Sequence, residues 1–276
     1  MAPTAAAAAA RRPSPFSREV RRWRALRRMS QLELATLAGT TQRHLSFIES
    51  GRSAPGRAMV VRLAESLALS LRERNALLLT AGYAPAYEES LRDGASIEPA
   101  MTALRSILTG HLPYPAVVAG PRGELVLANA AFEVLAEGAA AHLLEPPVNV
   151  LRLALHPEGM GPRVANLAAW GRHITESLRA RAAAHPDAGL DALAAELAGY
   201  LPAGAPPGPD HLGFAVPLRL RTAGGELRLL TTLTSFATAV DVTLAELHLE
   251  AFLPADPETA ELLRRRAAAR DATPPG

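Results

Sequence analysis

Four side chains in one short stretch, Gln42, Arg43, Ser46 and Phe47, carry the chemistry most worth following. They fall in a helical run over residues 41–50, where Leu45 and Ile48 take the inward positions and these four are left outward. A Gln amide can bridge N6 and N7 of adenine, and an Arg guanidinium can fork onto O6 and N7 of guanine. Each such pair is worth about 1–3 kcal/mol of discrimination between bases. Catalytic groups are harder to find. The chain has no cysteine, which removes thiol catalysis, disulfides and sulfur-built metal sites and agrees with a reducing cytoplasm. No G-x-S-x-G elbow, P-loop or H-E-x-x-H occurs, so an enzyme is not expected. The eight histidines are scattered with no i, i+4 pair, and neither a metal site nor a cofactor is expected. Asp187, Asp191 and Glu196 read as a solvated helical face rather than an acid–base pair.

The elements that must position the outward residues are short helices joined by turns. Residues 17–28 form a basic helix with Val20 and Trp23 inward. Between Arg11 and Arg28 there are eight arginines against one acid, Glu19, which points to an anionic partner. The complete lack of lysine argues the other way, since biased coding also inflates arginine. Ser30-Gln31-Leu32-Glu33 matches a capping box, and the helix it opens carries Leu34, Ala35 and Ala38 on one face. Gly39 ends that helix and Thr40 is placed to cap the next. Two short helices across a glycine turn suit docking in a major groove. Pro55 opens a fourth helix, and the box at Ser70–Glu73 opens a fifth that closes at Gly82.

Beyond residue 97 the pattern changes to mixed helix and strand. Residues 116–119 and 125–129 form a hairpin across Pro121-Arg122-Gly123, and a helical region spans 163–200 with a break at His185-Pro186. Residues 212–220 and 226–234 read as strands joined at Gly224-Gly225. A last strand over 242–252 should bury one face and wet the other through Glu246, His248 and Glu250. The expected fold is therefore a mainly α five-helix domain followed by an α+β, PAS-like domain with an antiparallel sheet. The divisions are a tail over 1–16, a DNA-binding domain over 17–86, a linker over 87–97, a ligand-binding domain over 98–256 and a second tail over 257–276, which carries a short charged helix. Apolar runs break well short of the roughly 20 residues of a membrane span. Material for an apolar pocket comes from Leu127, Phe132, Leu151, Leu155, Trp170, Phe214 and Phe236, although for each of them plain core packing is the stronger reading. Asn129 and Asn166 stand among them to orient a ligand or to cap backbone, and the imidazole of the His156-Pro157 turn could meet a carboxylate head group.

The stretch SQLELATLAGTTQRHLSFIESGR resembles the Cro and lambda-repressor (XRE-type) helix-turn-helix. That resemblance implies base contacts from Thr41, Gln42, Arg43 and Phe47, and contacts nearer the DNA backbone from Gln31, His44, Ser46 and Arg52. Phe47 departs from the polar residue common there and could touch a thymine methyl. Together with LRERNALLLTAGYAP, ITESLRARAAAHPD and LTSFATAVDVTLAELHLEAFLPAD, the chain after residue 16 resembles MmyB-like transcription regulators. The family implies a double-stranded DNA partner, a PAS-like domain that takes a lipophilic small molecule such as a fatty acid, and a homodimer. Two alternatives stay open: a second domain that only dimerises or docks protein, and an enzyme fused to a DNA-targeting module.

Overall fold

The computed structural model describes residues 14–91, 94–202, 215–236 and 239–272. The chain divides into two compact units, Met1–Glu89 with Val240–Val242, and Ser90–Ala239 with Thr243–Gly276. In the first, the helices are α1 (Pro15–Leu26), α2 (Gln31–Leu37), α3 (Gln42–Glu49), α4 (Arg57–Ser66) and α5 (Leu71–Thr80). Val20, Trp23, Leu34, Leu45, Ile48, Leu63 and Leu78 meet in its core. Helix α1 begins earlier than residue 17, because Ser14 caps it and Pro15 supplies a pre-set φ at the first position. The capping boxes at Ser30 and Ser70 are both reciprocal.

The turn between α2 and α3 differs by one residue from the sequence expectation. Gly39, at φ +62°, and Thr40 donate their backbone N–H groups to the carbonyls of Thr36 and Ala35, closing α2 in a Schellman arrangement. Thr40 is thereby spent on the end of one helix. Thr41 is the next extended residue, and its Oγ1 accepts the N–H of His44 to cap α3.

The second unit is built on a five-stranded antiparallel sheet of β1 (Ala116–Ala119), β2 (Leu125–Ala128), β3 (Leu218–Thr222), β4 (Gly225–Ser235) and β5 (His248–Pro254) in the order β2-β1-β5-β4-β3. Its helices are α6 (Glu98–Gly110), α7 (Glu133–Ala136), α8 (Val150–Leu155), α9 (Leu167–Ala184), α10 (Ala188–Gly199), α11 (Val242–Glu246) and α12 (Pro257–Asp271). Gly123 turns the β1–β2 hairpin at φ +83°. Alternate residues of β1 enter different cores: Val117 joins Trp170, Leu178, Leu193 and Leu197 of α9 and α10, while Ala116 and Val118 join Met101, Leu104 and Leu108 of α6. Both faces of the sheet are covered.

That double cover corrects the reading of β5. A half-wet strand over 242–252 was expected, but residues 242–246 are helical, and β5 runs between β1 and β4. A central strand has neighbours on both edges and helices on both faces, so His248 is only 8% exposed. Strand β3 starts at Leu218, and residues 212–214 of the strand expected over 212–220 lie outside the described residues. Ile97, at the end of the expected linker, is buried with α6. The expected second tail carries α12, with Thr259, Ala260 and Leu263 buried. Asp256 caps that helix, and Thr259 Oγ1 accepts the backbone N–H of Arg228 on β4. Among the described residues no helix is long and apolar enough to cross a membrane.

Candidate nucleic-acid interface and ligand cavity

Helix α3 exposes Thr41, Gln42 and Arg43 at its N-terminal end, with His44, Ser46 and Phe47 half-buried behind them. Phe47 organises this surface. The Arg43 guanidinium lies 5.4 Å from its ring centroid and that of Arg52 lies 5.8 Å away, both within cation–π range. Arg52 is held there by its own backbone, since its N–H donates to Phe47 O at 2.8 Å after the chain turns at Gly51, φ +73°. Two cations and one aromatic face thus share a surface that a phosphate backbone or base edge could meet. His44 is turned aside, with Nδ1 2.9 Å from Thr40 Oγ1.

Gln31 sits differently from its neighbours. Its amide donates to Glu49 Oε2 at 2.8 Å, inside a cluster in which Arg24 donates to both Glu49 carboxylate oxygens at 2.6 and 2.9 Å. Glu49 is 1% exposed. Burial pushes its carboxyl pKa up, but the hydrogen bonds from Arg24 and Gln31 and the charges of Arg24 and Arg21 outweigh that and hold it below the usual value. The same bond raises the pKa of Arg24. Sequence reasoning noted Glu49 only as part of a motif. The available signal was an acid on the helix beside inward Ile48, together with an arginine run over 11–28 that has a single acid, Glu19, to balance it.

Those arginines are partly structural. Arg21 donates to Glu49 O, Arg24 to Met29 O as well as to Glu49, and Arg27 to Leu67 O at the end of α4. Arg22 pairs with Glu19. The basic run therefore ties α1 to α3 and α4 before it offers charge to any partner.

In the second unit a cavity of about 220 Å³ opens between α8, α9 and the sheet. Trp170, Ile174 and Leu178 of α9 form one wall, Leu151, Leu153 and Ala154 of α8 another, and Val117 and Phe252 the floor. Its polar groups are His173, Ser177, Arg181, Thr231 and Glu250. Arg181 donates to Pro121 O at 2.6 Å, and burial lowers its pKa against the opposing charges of Glu250 and Glu124. Cation and carboxylate on the same lining leave it formally neutral.

Of the expected pocket residues, Phe132, Leu151 and Trp170 line this cavity, and Leu155 is fully buried in the adjoining core. Leu127 and Phe236 belong to the cluster around α6. Phe214 lies outside the described residues. Both asparagines serve backbone: Asn129 accepts from Ala116 N and donates to Leu108 O and Tyr114 O, and Asn166 accepts from Arg219 N and donates to Pro217 O. His156 is absent from the lining and stands edge-on to Tyr200, with ring centroids 4.9 Å apart. Of the acidic positions read as a solvated face, Asp187 pairs with Arg122 and Glu196 with Arg152.

A compact helical module with a glycine turn before an exposed polar helix, followed by an α+β unit with an apolar cavity, defines a class: a helix-turn-helix protein with an attached ligand-binding domain. Residues 20–74 match the helix-turn-helix family model, and residues 100–265 match that of the MmyB-like transcription regulator ligand binding domain. The second match spans more than half of the chain, which belongs to the MmyB-like transcription regulator family. A solved structure of an RNA-binding light-oxygen-voltage receptor aligns at 15% identity and a TM-score of 0.29, over 94% of this chain and 64% of that one. Likeness at that level bears on neither fold nor function. No curated protein matches.

Proposed function

We propose that this protein is a sequence-specific, DNA-binding transcription regulator whose second domain binds a small apolar ligand, a fatty acid being the chemistry that fits. The observation that carries the DNA reading is the joint surface of Arg43, Phe47 and Arg52 beside exposed Thr41 and Gln42. In this reading Thr41, Gln42, Arg43 and Phe47 meet base edges, and Gln31, His44, Ser46 and Arg52 lie nearer the phosphates. A homodimer would read a near-palindromic site with half-sites about 34–36 Å apart. Selection from a random duplex pool tests the assignment. Arg43→Ala should relax preference at one base pair per half-site, at a cost of about 1–3 kcal/mol. An equal loss of affinity for all sequences would remove Arg43 from base reading.

The cavity supports the ligand reading by its apolar walls and its polar rim. A dry apolar cavity of about 150 Å³ holds a benzene ring, so one of about 220 Å³ has room for a short acyl segment. A longer chain would emerge past the exposed residues His173 and Ser177. The chain's two tryptophans fall one in each unit, and Trp170 lines the cavity. In a Trp23→Phe background, fatty-acid titration should therefore shift Trp170 emission saturably. In the same background Ser177→Phe, which fills the rim without adding a second tryptophan or disturbing a buried position, should weaken binding at least tenfold. Unchanged emission, together with lipid-free protein by native mass spectrometry, would leave the second domain a dimerisation or docking module.

A further inference from the structure

We propose that His142, His156 and Glu158 form a binding site for a divalent transition-metal ion on the second domain, distinct from the ligand cavity. One ligand atom from each of the three lies within 4.8 Å of the other two, with His142 Nε2 and Glu158 Oε2 4.0 Å apart. Two imidazoles and one carboxylate, with the rest of the coordination sphere left to water, suit zinc, nickel or cobalt. Metal–ligand distances near 2.0–2.2 Å put donor atoms about 3–3.5 Å apart. From at most 4.8 Å the groups need to close by up to about 1.3–1.8 Å, and two of them are exposed and able to rotate.

The backbone brings the groups together. His142 lies in the 3-10 turn Ala141–Leu143, and His156 and Glu158 follow the end of α8. Ala140 N–H donates to Glu158 O at 2.8 Å, which fastens one segment to the other, and Gly159 N–H donates to His156 O at 2.9 Å, which turns the chain between His156 and Glu158. A Cβ at Gly159 would run into the carbonyl oxygen of Leu153, so only glycine lets the chain pass there. His156 is further oriented by the edge of Tyr200, whose hydroxyl donates to Glu196, itself paired with Arg152. Such supporting contacts fix the orientation of a metal-binding imidazole.

His156 has one competing partner, since its Nδ1 accepts the backbone N–H of Glu158 at 3.1 Å. Metal binding gives up that neutral hydrogen bond. Through Nδ1 the ion takes the lone pair the amide now shares; through Nε2 the ring proton moves to Nδ1 and the amide turns away.

The test is titration of tag-free, full-length protein with Zn2+ and, separately, with Co2+, followed by calorimetry and by visible absorption of the cobalt form. The expected result is one saturable site per chain. His142→Gln and His156→Gln should each raise the dissociation constant at least about tenfold, and Glu158→Gln should weaken it while leaving fatty-acid binding intact. His111→Gln, at a histidine whose Nδ1 meets the carbonyl of Ile107, should change nothing. Absence of saturable uptake, or uptake unaffected by the double variant His142→Gln/His156→Gln with circular dichroism unchanged, overturns the proposal.

Discussion

A carboxylate that is 1% exposed would ordinarily be a liability, and Glu49 escapes it by accepting hydrogen bonds from Arg24 and Gln31 on two other helices. Removing one member leaves the others buried without their partner. Glu49→Ala should therefore cost about 3–5 kcal/mol of stability in the helix-turn-helix unit, read as a fall in its denaturation midpoint. The pH dependence has a definite sign. The folded carboxyl titrates below the usual 4.5, so the unfolded chain binds more protons between the two values. The contribution is complete above 4.5 and disappears as pH falls through the folded value. Acid titration of the wild type should show this loss, and Glu49→Gln should flatten it. Gln31 links this cluster to α2, so Gln31→Ala should lower stability; if the proposed DNA contact of Gln31 holds, DNA affinity should fall with it.

At the scale of elements, the α2–α3 turn decides how the reading helix leaves the domain. Gly39 has open space around its Cα, yet its φ of +62° is one that a Cβ disfavours. Gly39→Ala should cost about 1–2 kcal/mol from backbone strain alone, with no steric clash to relieve. Ser30→Ala, which breaks one half of a reciprocal capping box, should cost about 1 kcal/mol. If thermal melts place these two effects in the reverse order, the strain argument at Gly39 fails. In the second unit, α8 and α9 both face the cavity, whereas α6 covers the opposite side of the sheet and has no part in the lining.

At the scale of the whole molecule, the helical unit has its own hydrophobic core, separate from the two clusters on either side of the sheet. A bound ligand stabilises the unit that binds it, by about 2.7 kcal/mol at a hundred times its dissociation constant. Calorimetry with saturating fatty acid should therefore raise the transition of the α+β unit directly. Any accompanying rise in the helical unit would measure coupling between the halves. Coupling of that kind is required for a ligand to alter DNA binding, and it must act equally in both directions.

Local chemistry in the chain determined the helical unit almost completely. Capping boxes, a glycine at a left-handed turn and apolar spacing are short-range signals, and each acts within a few residues of where it is written. The outward face of α3 could be read for the same reason. What the tertiary structure alone decided was which distant residues meet. Leu127 and Trp170 are equally apolar in sequence but fall on opposite sides of a sheet, and β5 is covered on both faces because it pairs centrally. His142 and His156 come together where a backbone hydrogen bond from Ala140 N–H to Glu158 O holds a 3-10 turn against the segment after α8. Contacts across such separations depend on strand order and helix placement, which periodicity along the chain does not encode.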